Sequence, residues 1–168
     1  MSNRIIILEG PDGGGKTTLA NRLRDQYNYQ VWHTGKPEPW FKDEDLAYYY
    51  KLSLWRARTL GQSVVFDRHW LGELVYGPVM RNQCLLNEQH IRYFEMQMAT
   101  LQIKLCVVMP PFEEVLKNWK LKHNDYIPDE QKLTQVFMAY EKLAERYWRY
   151  DYTTDDKDNT RFIREALC

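Results

Sequence analysis

Cysteine is scarce in this chain of 168 residues, with only Cys84, Cys106 and Cys168, at unrelated spacings. Such a set offers neither a disulfide framework nor a zinc-ligand pattern, which suits a reducing compartment. No apolar run approaches the roughly 20 residues that span a bilayer. The chain also enters a predicted strand almost at its start, leaving no room for a signal peptide. The expectation is a cytoplasmic protein without a membrane partner. Neither sign of charge is in excess, since 23 Lys plus Arg balance 23 Asp plus Glu. Non-specific duplex binders carry a basic surplus, so the balance favours a small-molecule partner over nucleic acid. Internal repeats, low-complexity tracts and linkers are missing too, and the length fits a single domain over residues 1–168. A hydrophobic content of 44% with 14% aromatics excludes general disorder.

Glycine is not abundant, yet four of the 8 glycines fall within six residues, in Gly10-Pro11-Asp12-Gly13-Gly14-Gly15-Lys16-Thr17-Thr18. Gly10, Gly15, Lys16 and Thr17 fit the phosphate-loop pattern G-x-x-x-x-G-K-[ST]. Arg4 to Leu8 before it is a β-branched apolar run that reads as a buried strand. Thr17 to Tyr27 after it places Leu19, Ala20 and Leu23 at helical spacing. Glycines let the backbone close around a ligand, successive N–H groups form an anion-binding concavity, and the helix N-terminus adds donors and partial positive charge. Lys16 brings a full charge to the β/γ-phosphates, and the Thr17 hydroxyl is a ligand for Mg²⁺. A nucleoside triphosphate with Mg²⁺ is the expected donor, held by Gly10, Asp12, Gly13, Gly14, Gly15, Lys16, Thr17 and Thr18.

Further along, strands are predicted at Tyr29–Thr34, Ser63–Phe66, Ile103–Met109 and Tyr150–Thr154. Helices are predicted at Leu46–Leu60, from Asn87 as N-cap through Glu88 to Leu101, at Phe112–Lys122, at Glu130–Tyr150 and at Thr160–Leu167. Gly72, Gly77 and Pro78 predict an irregular Trp70–Leu86. The alternation implies an α/β domain with a mainly parallel five-stranded sheet flanked by helices, its ligands gathered beyond the C-terminal strand ends. Gly10–Lys16, His33–Pro37, Asp67–His69 and Pro110–Pro111 all lie at such ends. Asp67 could hold Mg²⁺ there, and Arg68 offers a planar fork for phosphate oxygens. With Lys16 they make the catalytic set that phosphoryl transfer requires.

Glu9-Gly10-Pro11-Asp12-Gly13-Gly14-Gly15-Lys16-Thr17-Thr18 resembles the E-G-x-D-G-x-G-K-T-T loop of thymidylate kinases, and Asp67-Arg68-His69 resembles their D-R-[YH] block. Tyr76 falls where that family has an aromatic residue. The resemblance implies a P-loop kinase fold with a short lid, here approximately residues 117–128, and transfer of the γ-phosphoryl group of ATP to a deoxynucleoside monophosphate. It places Asp12 near the acceptor sugar, Asp67 at the metal, Arg68 on the acceptor phosphate, and Tyr76 where a 2′-hydroxyl would sit. A core tyrosine is the equal reading of Tyr76 alone. The acceptor set also includes His69 from the block, Glu73 near the base, and Lys36 in His33-Thr34-Gly35-Lys36-Pro37. Trp40, Tyr48, Trp55, Arg56 and Trp70 are further candidates to bind a base, although core packing is the better reading of each aromatic taken singly.

The departures shape the alternatives. Neither the loop nor the lid segment contains the arginine those kinases use; Lys120 and Lys122 either substitute or form a solvated face. The acceptor could instead be a hydroxyl, on a nucleoside or on a hydroxymethylated pyrimidine in phage DNA, with Glu9, Asp12 or Asp67 as base. A nucleotide-dependent regulatory protein is a further reading, although no N-K-x-D guanine motif is present. Ile91, Phe94, Met98 and Leu101 could face a second copy in a homodimer, or the chain's own core.

Overall fold

The computed structural model describes residues 3–34, 46–122 and 126–168. Lys36, Trp40 and part of the lid segment, residues 123–125, lie outside the described residues. Five strands form one sheet: β1 (Ile5–Glu9), β2 (Gln30–His33), β3 (Val64–Asp67), β4 (Lys104–Val108) and β5 (Trp148–Tyr150). Their order is β2-β3-β1-β4-β5 and every pairing is parallel. The helices are α1 (Lys16–Tyr27), α2 (Leu46–Thr59), α3 (Trp70–Arg81), α4 (Glu88–Thr100), α5 (Phe112–Lys122), α6 (Glu130–Ala144) and α7 (Thr160–Leu167). A 3-10 turn at Tyr152–Thr154 comes after β5.

Both faces of the central strands are buried, which explains their unbroken apolar runs. Ile5, Ile7, Phe66, Leu105 and Val107 point to one face and pack with α2, α3, α4 and α6. Ile6, Leu8, Val65, Cys106 and Val108 point to the other, against α1 and α7. The four apolar residues that could have met a second copy, Ile91, Phe94, Met98 and Leu101, all pack on the first of these cores.

Two stretches differ from the sequence expectation. Residues 70–81 form a continuous helix with Pro78 inside it. An interior proline forfeits one helix hydrogen bond and crowds the carbonyl four residues earlier, a cost that burial of Trp70, Leu71, Val75 and Tyr76 opposes. Gly77 belongs in the helix because a Cβ there would lie 2.5 Å from Glu73 Oε1 and 2.7 Å from the Gln83 carbonyl of the returning chain. The sixth helix stops at Ala144 rather than running to Tyr150, and Trp148–Tyr150 joins the sheet beside Cys106–Val108. Tyr147, Trp148 and Tyr150 fit a helical stripe or an edge strand equally well. Stacking of Trp148 on Phe162 of α7, at 5.4 Å between centroids, favours the strand.

Candidate active site

The phosphate loop joins β1 to α1, and its glycines answer to several different neighbours. At Gly10, φ is +137°, and a Cβ would collide with the Val108 carbonyl on β4. A side chain there would separate the loop from the sheet. Gly15, the N-cap of α1 at φ 90°, provides no side-chain cap. The first amides of a twelve-residue helix are thus left for an anion. Lys16 is buried, and its Nζ donates to the carbonyls of Gly10 at 2.9 Å and Pro11 at 2.7 Å. Burial first, and then the nearby Arg68 charge, push its ammonium down to about 8.

The second half of the site is assembled at the turn from β3 into α3. Arg68 has φ +73°, a conformation that costs a non-glycine residue energy and is held by its surroundings. The Arg68 amide donates to Leu8 O at 2.9 Å, its carbonyl accepts from Thr34 Oγ1 at 2.5 Å, and the next amide, of His69, donates to Glu9 Oε1 at 2.7 Å. So fixed, the guanidinium pairs with Asp12, donates to Gly10 O at 3.1 Å, and lies 4.6 Å from the centre of the Tyr76 ring. Tyr76 in turn donates its hydroxyl to Asp12 Oδ2 at 3.1 Å. Burial lowers and the Tyr76 and Asp12 neighbours raise the Arg68 value, with the rise winning. Burial alone would raise the Asp12 carboxyl, but Arg68 and then Lys16 hold it below its usual value.

Glu9, which the sequence offered only as a possible base, has a structural part in the site. It is fully buried, accepting from the amides of His69 and Gly72 at 2.7 and 3.1 Å and from the Tyr140 hydroxyl at 3.0 Å. Its carboxyl therefore caps the start of α3 from a neighbouring strand, a role usually filled by a local residue. Burial drives its pKa up to about 7.

Thr17 Oγ1 donates to Asp67 Oδ2 at 2.6 Å, so a hydroxyl and a carboxylate converge at the mouth of the loop. Among the described residues no cluster of three or more metal-ligating side chains exists. Two hard oxygens beside a phosphate cradle fit Mg²⁺ brought in with a nucleotide, since that ion keeps waters and phosphate oxygens as ligands. They would not fit a resident protein-caged metal.

Other sequence candidates sit elsewhere. His69 is fully buried, its Nε2 2.8 Å from Ser53 Oγ and its ring against Tyr50 and Phe66. Burial pushes it down to about 3, so it is a neutral core residue rather than a substrate contact. Glu73 grips Arg81 with both oxygens, at 2.6 and 2.7 Å, and accepts from the Leu85 amide at 2.8 Å. It ties α3 to the chain that returns from it, which corrects its expected place beside a base. Trp70 is buried and stacked on Phe94, whereas Tyr48 and Trp55 are exposed. Arg56 lines a cavity of about 620 Å³ between β2 and α2, with Trp32, His33 and Ser53. Of the lid candidates, Lys120 lies 3.2 Å from Glu130 and Lys122 is exposed. The α5 side chain that reaches the loop is Asn118, whose Nδ2 is 3.1 Å from Gly13 O. Its signal was a polar residue one turn after the buried Val115, on the inward side of an amphipathic helix.

No family model matches the chain, and no curated protein matches it. Solved structures do. The YorR protein of Bacillus subtilis, in complex with phosphorylated GDP, superposes with a TM-score of 0.73 at 20% identity over 97% of this chain and 94% of its own. Deoxyadenosine kinase from M. mycoides with bound dATP gives 0.59 at 14% identity over 98% and 99%. The same kinase with products dCMP and a flexible dCDP gives 0.62 at 15% identity over 97% and 98%. What the chain shares with these structures is the fold, a five-stranded parallel sheet flanked by helices. Within that fold the Gly10–Thr18 loop and the Asp67–His69 turn stand side by side at the C-terminal ends of β1 and β3, where open parallel sheets gather ligands. Among the described residues no helix is long and apolar enough to cross a membrane.

Proposed function

We propose that the protein transfers the γ-phosphoryl group of ATP, bound as its Mg²⁺ complex, to a deoxynucleoside monophosphate. One observation carries this reading. Lys16 Nζ and Arg68 Nη1 donate to the same carbonyl oxygen, that of Gly10, at 2.9 and 3.1 Å. Two cations brought to one point by separate chain segments support a single anion-binding cleft with a donor side and an acceptor side.

On the donor side the loop amides, the open start of α1, Lys16, Thr17 and Thr18 hold the triphosphate. Thr17 and Asp67 would hold Mg²⁺, which supplies further neutralisation of the transferring group. On the acceptor side Arg68 takes the monophosphate through its fork, and Asp12 with Tyr76 meets the sugar. The acceptor oxygen forms its bond to the γ-phosphorus as the bond to the bridging oxygen breaks and ADP leaves. A phosphate oxygen is already a nucleophile, so charge and position do the catalysis. Glu9 is therefore free to be structural.

A second reading, with a hydroxyl acceptor on a nucleoside or in DNA, is favoured by the Asp12–Arg68 pair. That pair leaves the acceptor side nearly neutral before substrate arrives, which suits an uncharged hydroxyl acceptor. The likeness to a deoxyadenosine kinase runs the same way. Incubation with γ-labelled ATP and Mg²⁺ against deoxynucleoside monophosphates, deoxynucleosides and hydroxymethyluracil-containing DNA separates the readings. Label on monophosphates supports the first; label only on nucleosides or DNA replaces it with the second; no transfer to any acceptor discards both.

A further inference from the structure

The phosphate loop is gripped from outside as well as lined from within. At Gly13, φ is +81°, and a Cβ would lie 2.6 Å from the Val115 carbonyl and 3.0 Å from the Trp119 amide nitrogen. Helix α5 thus rests directly on the apex of the loop. At Gly15 a Cβ would lie 2.8 Å from Cε1 of Tyr152, so that ring covers the loop's other end. Between the two contacts stands Asn118. Its Nδ2 donates to Gly13 O at 3.1 Å and to the Tyr152 hydroxyl oxygen at 3.0 Å. A side-chain amide nitrogen carries two hydrogens, and this one uses both.

We infer that Asn118 is a positioning residue for the donor triphosphate, acting through the Gly13 carbonyl, with Tyr152 as the partner that orients its amide. A left-handed glycine is the least constrained residue in a chain. Tying its carbonyl to α5 fixes the loop before nucleotide arrives, so that binding need not order it. On this inference Asn118 acts through the loop and not by its own contact with the nucleotide. Its effect should appear in the affinity for ATP and not in the chemical step. The inference rests on the loop's being the donor site.

Steady-state kinetics with ATP as the varied substrate, ATP–Mg²⁺ calorimetry and thermal melting of the free protein provide the test. Asn118→Ala is expected to raise the KM and Kd for ATP about tenfold, with kcat within about twofold of the unaltered protein. Tyr152→Phe keeps the ring over Gly15 and removes one oxygen; it is expected to raise both about threefold. The double variant should be no worse than Asn118→Ala alone, because both act through one amide. An unchanged KM and Kd in Asn118→Ala, or full additivity in the double variant, overturns the inference. So does an equal fall in kcat without a change in KM. If Asn118→Ala does not fold, Tyr152→Phe decides, and an unchanged affinity there overturns it. Absence of ATP binding by the unaltered protein would instead remove the donor site itself, a different failure.

Discussion

On the proposed reading, the donor half of the cleft is made of main chain, and the acceptor half of side chains. Their two cations differ accordingly. Lys16 is held by two backbone carbonyls, and burial with the nearby Arg68 brings its ammonium down to about 8. Arg68, at the same carbonyl, is held by Asp12 and by the face of Tyr76 and remains fully charged. A carbonyl offers only a partial negative charge, so Lys16 waits for phosphates to complete its surroundings. Arg68 already has a carboxylate. The donor half therefore gains charge balance from its ligand, whereas the acceptor half has it in advance and must exchange one partner for another.

The most severe way to break the contrast is to remove the donor cation. Lys16→Ala is expected to lower kcat/KM by at least about 1000-fold, roughly 4 kcal/mol of lost transition-state stabilisation, in a coupled ADP-release assay. Wild-type rates would dismiss the donor assignment. Arg68→Lys tests the other half with charge retained. A point charge cannot form the guanidinium fork or lie flat on Tyr76, so acceptor kcat/KM should fall about 100-fold while the Kd for ATP changes little. A greater loss of ATP affinity than of acceptor use would show that the two halves have been exchanged.

The unequal legibility of these halves in the sequence has a physical origin. Gly10 to Thr18 was legible because local geometry dictates local residue types, here glycine where backbone must approach backbone. Asp67 and Arg68 were legible because a buried strand ending in charge is anomalous by itself. His69 and Glu73 were misplaced because adjacency along the chain does not determine which way a side chain turns. One entered the core beside Ser53, the other turned to Arg81. Glu9 as a cap for α3, Asn118 on Gly13 and the strand at Trp148–Tyr150 all depend on partners 50 or more residues distant or on competition for an edge. Propensity and periodicity carry no term for these.

A gentler test varies pH. If the loop takes nucleotide through the protonated form of Lys16, the surrounding phosphate charge raises the Lys16 pKa. Affinity for ATP should therefore be full below about pH 8 and fall as pH rises through that value, up to about tenfold per unit until the bound-state pKa is reached. Calorimetry near pH 8 in buffers of different ionisation enthalpy should show proton uptake on binding. The Arg68 side should show no such dependence over the same range. A flat ATP affinity between pH 7 and 9.5 would mean that Lys16 is already fully charged without its ligand.

The smallest expected effect separates the two contributions of Tyr76. Its ring supports Arg68 at 4.6 Å, and its hydroxyl donates to Asp12 Oδ2 at 3.1 Å. Tyr76→Phe keeps the ring and deletes the donor. Asp12 retains Arg68, so the loss should be close to that of one hydrogen bond, about 1 kcal/mol, or a few-fold in acceptor KM. The preference for deoxy over ribo acceptors should not change, because a ring in the same place still occupies the space of a 2′-hydroxyl. Tyr76→Ala opens that space and leaves the Arg68 face bare; it should narrow the preference as well as weaken acceptor use. Equal preferences in the Phe and Ala variants would assign Tyr76 to the support of Arg68 alone. Acceptor selection would then be sought at Asp12, the carboxylate that both Arg68 and Tyr76 contact.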